Sequence, residues 1–109
     1  MYQLLYMTCA DRAEAERLAE ALLEAKLIAC ANILPGIHSL FHWNGQVSKS
    51  EEVLLLAKSE QALFKAIETK ITSLHSYDCP CILAFDIADG HQPFLDWIST
   101  QTLANKRSH

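Results

Sequence analysis

The sequence predicts an α+β domain with an antiparallel sheet, in the order strand, helix, strand, strand, helix, strand, and then a short helix. Three observations predict it. Apolar residues recur with helical period in two separate stretches. The intervening segments alternate with period two or run apolar, as strands do. Asn44-Gly45 sits between two strand-like runs and is a strong short hairpin signal.

Residues 3–9 are apolar and strand-like. Asp11 follows as a helix N-cap, with Glu14 in capping-box position. Ala15, Leu18, Ala19, Leu22 and Leu23 then share one helical face, while Arg12, Glu16, Arg17, Glu20 and Glu24 form a solvated one. That helix is expected over Asp11 to roughly Lys26. Residues 28–34 read as a strand, and Pro35-Gly36 as a bend or bulge. Ile37, Ser39, Phe41 and Trp43 alternate with His38, Leu40 and His42. The returning strand covers roughly Gln46 to Lys58, so the hairpin is long. Ser59 is expected to cap a second helix running to about Leu74, with Leu63, Phe64, Ile67, Ile71 and Leu74 inward. A loop, His75 to Asp78, leads to a last strand over 81–88. Asp89-Gly90 turns the chain into a short helix begun by Pro93. This βαββαβ order is the ferredoxin-like, split βαβ pattern. Right-handed crossovers put both long helices on one sheet face.

Val53–Ala57 and Ile82–Phe85 are apolar on both faces, and two helices cover only one. A bare apolar sheet face is an association site, and the hairpin offers strand edges as well. The chain is therefore expected to self-associate; symmetry alone does not choose a dimer or a trimer.

The 109 residues suffice for one domain, 1–103, with a polar tail at 104–109. Half the residues are hydrophobic and a fifth charged, which excludes a disordered chain. Net charge is −4 with scattered basic residues, so no nucleic-acid stripe is visible. Apolar runs fall far short of the ~18 residues of a membrane span. No basic segment precedes the first apolar stretch, so no signal peptide is expected. A cytoplasmic protein with reduced thiols follows for Cys9, Cys30, Cys79 and Cys81. Cys9 and Cys30 read as small buried hydrophobes.

Several segments resemble a known family in order and spacing. They are LIACANILPGIHSLFHWNGQV (27–47), EEVLLLAK (51–58), His75-x-Tyr77 with Pro80, and Asp89-Gly90 followed by Phe94-Leu95-Asp96-Trp97. The resemblance is to the CutA-type divalent-cation tolerance proteins and covers the chain except its tail. It implies a homotrimer similar in architecture to PII-type signalling proteins, copper and other divalent metal ions as ligands, and no agreed catalytic reaction. No nucleophile–base pair at a recognisable spacing points to an enzyme.

The resemblance also implies site residues. The family's proposed metal contacts are a first-strand Cys, the loop His, and a Glu just after the loop Pro. Here those positions hold Met7, His75 and Cys81. Thioether, imidazole and thiolate suit Cu(I). Lys58, Tyr77 and Trp97 are implied as lining an inter-subunit pocket for a ligand; the alternative is that His75 caps the second helix and Tyr77 packs with its hydroxyl bonded. A second function class stays open, a signalling or scaffold trimer that binds a small anionic ligand or a partner protein there. Cys79-Pro80-Cys81 could point two sulfurs one way, but no second pair completes a zinc-finger spacing. His38 and His42 lie about 13 Å apart on a strand at ~3.3 Å per residue, too far for one ion in one chain. Asp86, inside an apolar strand, needs a partner or water.

Overall fold

The computed structural model describes residues 1–103, and the tail expected at 104–109 lies outside the described residues. Alternation in the first segment builds strand β1, Tyr2–Cys9, whose odd positions are buried and whose even ones are half-buried. The Asp11 carboxylate accepts from the Glu14 N–H at 2.8 Å and starts helix α1, Arg12–Glu24. The capping signature is thus real, with one difference. Glu14 reaches back to the N–H of Ala10, at 2.9 Å, one residue before the cap.

Helix α1 ends without a glycine. Lys26 takes a left-handed conformation, φ 59°. Its N–H bonds Leu23 O, and the Leu27 N–H bonds Leu22 O, both at 3.0 Å. That is a Schellman stop, in which the crossed bonds satisfy carbonyls the helix leaves open.

Strand β2, Cys30–Trp43, and strand β3, Gln46–Glu60, form the long hairpin. The register slips between Leu34 and Ile37, where Pro35 cannot donate and Gly36 takes φ 79°. At the tip Asn44 and Gly45 both have positive φ, as a type I′ turn demands.

Ser59 does not cap the second helix. Strand β3 continues through Glu60 because Ser59 and Glu60 pair with Gln3 and Tyr2 of β1. The Ser59 hydroxyl is buried and donates to the Leu27 carbonyl instead. A 3-10 turn, Gln61–Leu63, then feeds helix α2, Phe64–Leu74. Strand β4, Ile82–Asp86, and helix α3, Gln92–Gln101 with Pro93 in its first turn, complete the fold.

The sheet order is β2-β3-β1-β4, every pair antiparallel, as a ferredoxin-like domain requires. Leu5, Met7 and Cys9 from β1 and Val53, Leu55 and Ala57 from β3 pack against Leu18 and Leu22 of α1 and Ile67 and Ile71 of α2. Asp86, an acid in an apolar strand, finds its partner in the Gln3 side-chain amide at 3.0 Å.

The other sheet face is open and apolar. Leu4, Tyr6, Leu54, Leu56, Leu83 and Phe85 alternate onto it, joined by Leu34 of β2. Leu34, Leu83 and Phe85 stay 44%, 50% and 52% exposed. The Tyr6 and Phe85 rings meet edge to face across it.

Candidate functional site

Three segments converge at the end of the sheet where β1 finishes: the last residues of β1, the first turn of α1, and the loop between α2 and β4. Strand periodicity puts Cys9 on the same face as Leu5 and Met7, so its sulfur is buried. Helical periodicity puts Glu14 on the face of Leu18 and Leu22, so its carboxylate is buried too. His75 is the last residue of the α2 turn system, its N–H closing on Ile71 O at 2.8 Å. Its imidazole folds back over the sheet and is fully enclosed.

The hydrogen bonds assign the imidazole. Nδ1 lies 3.0 Å from the Tyr77 backbone N–H, which can only donate. Nε2 lies 2.9 Å from the Thr8 carbonyl, which can only accept. The ring is therefore the Nε2–H tautomer, with the Nδ1 lone pair accepting from the Tyr77 N–H. Glu14 Oε2 sits 3.7 Å from Nδ1 and accepts from the Ser76 N–H at 2.7 Å. One carboxylate thus ties the β1–α1 loop to the α2–β4 loop. Ligand atoms of Cys9, Glu14 and His75 all lie within 4.8 Å of one another, the only such group of His, Cys, Asp or Glu among the described residues.

A second carboxylate borders this group. Glu52 is buried and accepts from the Tyr77 hydroxyl at 2.7 Å. Burial, then this bond, pushes the Tyr77 phenol well up. Burial pushes the Cys9 thiol up to about 12, with Glu14, Glu52 and Asp11 adding negative potential. Burial by itself would raise Glu14. The N–H donors of Ala10 and Ser76 outweigh that and hold the carboxyl below its usual range.

The residues expected from the sequence fall into separate settings. His75 is central. Met7 is fully buried among core side chains on the helix side of the sheet. Cys81 lies against the Thr8 hydroxyl and Glu52, and burial followed by Glu52 raises its thiol. Thr8 follows Met7 on a strand, so its side chain emerges on the opposite face. Met7 and Cys81 therefore approach the sheet from opposite sides and do not meet His75 as one set. Tyr77 has its hydroxyl bonded to Glu52, as the packing alternative expects. Lys58 lies on the open face and donates to Asn32 Oδ1. Trp97 is exposed on α3, its ring centroid 5.4 Å from that of Phe94. Tyr77 bonds at Glu52, six positions along β3 from Lys58, so the two lie at different ends of that strand's buried half. Cys79 is exposed and unbridged.

Sequence reasoning missed Cys9 and Glu14. Cys9 read as a small hydrophobe, and Glu14 as a cap alone. The signal for Glu14 was present: it precedes Leu18 and Leu22 at i, i+4, i+8, on the apolar stripe.

Comparison with known proteins agrees with this architecture. Residues 3–101 match the family described as CutA1 divalent ion tolerance protein. A divalent-cation tolerance protein CutA from Archaeoglobus fulgidus is 41% identical over 98 residues, 90% of this chain and 95% of that one. A second, from Thermus thermophilus, is 36% identical over 94% of this chain and 99% of its own length. The solved Thermus thermophilus structure superposes with a TM-score of 0.92 at 36% identity, covering 94% of this chain and 99% of that one. The Archaeoglobus fulgidus structure, described as a periplasmic divalent cation tolerance protein, gives 0.90 at 40% identity, covering 93% and 98% of the two chains. With the match running through every strand and helix of the described residues, the chain belongs to the CutA1 divalent ion tolerance family.

Proposed function

We propose that this chain works as a cytoplasmic homotrimer that binds divalent metal ions and copper, without catalysing a reaction. The observation that carries the reading is the gathering of thiol, imidazole and carboxylate at one end of the sheet. Such donor sets serve borderline and soft metals rather than Mg2+ or Ca2+. Relatives that share the whole domain are named for divalent-cation tolerance. The apolar open face supports assembly, because a patch holding Leu34, Leu83 and Phe85 half in water is more stable against a second copy. Closing three such faces about one axis would give the architecture of PII-type trimers. The four unpaired thiols fit a reducing compartment. A non-catalytic role fits Cys9: fully buried and held up to about 12, its thiol is protonated at neutral pH and no nucleophile.

Copper is assigned in this reading also to Cys81 on the other side of β1, with a subunit neighbour supplying further ligands. Competition against a Cu(I) chelator tests this with the Met7→Leu, His75→Ala and Cys81→Ser variants. Weaker Cu(I) binding in the last two supports the reading; equal binding in all three variants removes it. Sedimentation of the parent should give a species near three chain masses, and cell fractionation checks the compartment.

One observation favours a second reading, a trimer that binds a small anionic ligand or partner protein between subunits. Both His75 ring nitrogens and both Glu14 oxygens already have hydrogen-bond partners, so the buried network is complete without an ion. Lys58 and Trp97 would then face a cleft made by a neighbouring chain. Failure to bind any metal in the titration, with the trimer intact, would select this alternative.

A further inference from the structure

We propose that Cys9 Sγ, His75 Nδ1 and a Glu14 carboxylate oxygen form a site for one borderline divalent cation of the zinc class, one per chain. The inference rests on the divalent-ion reading above but shares only His75 with the family's three contacts, taking Cys9 and Glu14 in place of Met7 and Cys81. It stands on geometry, on outer-shell bonding and on charge.

The geometry is close to that of a tetrahedral centre. Zn–ligand lengths of about 2.0–2.3 Å put neighbouring ligand atoms about 3.4–3.6 Å apart. His75 Nδ1 and Glu14 Oε2 are already at 3.7 Å, and the widest separation in the trio is within 4.8 Å. Closing the trio on one ion therefore takes a movement of about 1 Å.

The outer bonds are those a metal ligand needs. A histidine that ligates through one nitrogen donates its other N–H to a carbonyl or carboxylate, which fixes tautomer and orientation. His75 does this already: Nε2–H donates to the Thr8 carbonyl, leaving Nδ1 without a proton and 3.7 Å from Glu14 Oε2. Glu14 is likewise anchored, its Oε1 held by the Ala10 N–H. Binding would cost the Tyr77 N–H its acceptor on Nδ1, a bond within one loop turn.

Charge argues the same way. Glu14 and Glu52 are only 2% and 8% exposed. The lysine and arginine ion pairs among the described residues lie elsewhere, at Arg12–Glu16 and Lys65–Glu68. Buried charges are normally paired or bound to metals, and a cation placed between Cys9, Glu14 and His75 would neutralise this corner. On binding, the Cys9 thiol loses its proton to solvent, one proton per ion, and no electron transfer is involved.

The test uses Co2+ as a spectroscopic stand-in for zinc, on the full chain under reducing conditions. The parent should bind one Co2+ per chain with a thiolate-to-cobalt charge-transfer band that Zn2+ abolishes. Cys9→Ala should lose the band and weaken binding at least about tenfold; Cys79→Ser and Cys81→Ser should keep both. Glu14→Gln should keep the band and bind about tenfold more weakly. Should Cys9→Ala not fold, zinc X-ray absorption on the parent decides: one sulfur near ~2.3 Å is expected. No Co2+ binding, no sulfur contact, or a band that survives in Cys9→Ala overturns the site. Cu(I) binding that depends on Cys81 alongside no thiolate contact to cobalt would overturn this inference and leave the family-level function standing. Absence of all metal binding removes both.

Discussion

Glu14 joins two loops through backbone donors, so replacing it tests how the site is held. In Glu14→Gln one side-chain oxygen remains. It can satisfy either the Ala10 N–H or the Ser76 N–H, now at 2.9 and 2.7 Å, but not both. The other N–H meets an amide NH2 in a buried setting. Hydrogen bonds to a charged acceptor contribute about 1.5–3 kcal/mol each, and a buried donor left alone costs about 1–3 kcal/mol. The expected loss is therefore about 2–3 kcal/mol at neutral pH. Glu14→Ala strands both donors and should lose about 3–5 kcal/mol, a large share of a small domain's stability. With a urea slope of about 1–3 kcal/mol per molar, the Gln variant's midpoint should fall by about 1–2 M. The measurement is urea unfolding by far-UV circular dichroism, at matched chain concentration because assembly contributes, and with chelator present.

The same pair carries a pH signature. The Glu14 carboxyl is held below 4.5 in the folded chain. Protonation therefore favours the unfolded state. The contribution of Glu14 is complete above the unfolded value and is lost as pH falls through the folded one. The gap between parent and Glu14→Gln should be widest at neutral pH and narrow below 4.5. Other carboxylates titrate in both proteins and cancel in the difference. A neutral-pH gap under about 0.5 kcal/mol, or one that stays constant through the acid range, would refute the view that the charged carboxylate bridges these loops.

Leu83→Asp puts a charge on the open sheet face and should shift sedimentation to the monomer while far-UV dichroism is retained; Leu55→Asp, buried under the helices, should unfold the chain instead. Lys26→Gly relieves the left-handed backbone at φ 59° and should raise stability by about 0.5–1 kcal/mol, read as a higher urea midpoint. Ser59→Ala removes the buried hydroxyl donor to the Leu27 carbonyl and should lower stability by about 1–2 kcal/mol in the same assay.

Local patterns were legible wherever one short-range signal acted alone. Asn44-Gly45 predicts its turn because both positions need positive φ. Pro35-Gly36 predicts the register slip for the same kind of reason. Strands apolar on both faces predict the open face, since two helices cannot cover two sides. Ser59 went wrong where two local signals competed. A serine before a helical period reads as a cap, yet pairing with Gln3 and the bond to Leu27 lie 56 and 32 positions away in sequence. Long-range partners decided between conformations that local preference left close in energy.

The site was the least legible part, for a definite physical reason. Its three ligand atoms come from residues 9, 14 and 75. Period two places Cys9 inward, and period 3.6 places Glu14 inward, so both burials follow from patterns visible in the sequence. The missing step is that a carboxylate on an apolar stripe cannot be buried without donors. One donor is local, the Ala10 N–H, but the second had to come from a chain segment far away in sequence. The loop after the second helix is the segment that could provide it, because its backbone N–H groups are not used by a helix or a strand. Ser76 gives one to Glu14, and the same turn swings the His75 ring over Thr8. An acidic residue at i−4 to a core leucine, in a first turn, is thus a signal that a remote loop closes over it. Applied to this chain, that rule would have joined Glu14 to the His75 loop and found Cys9 beneath them.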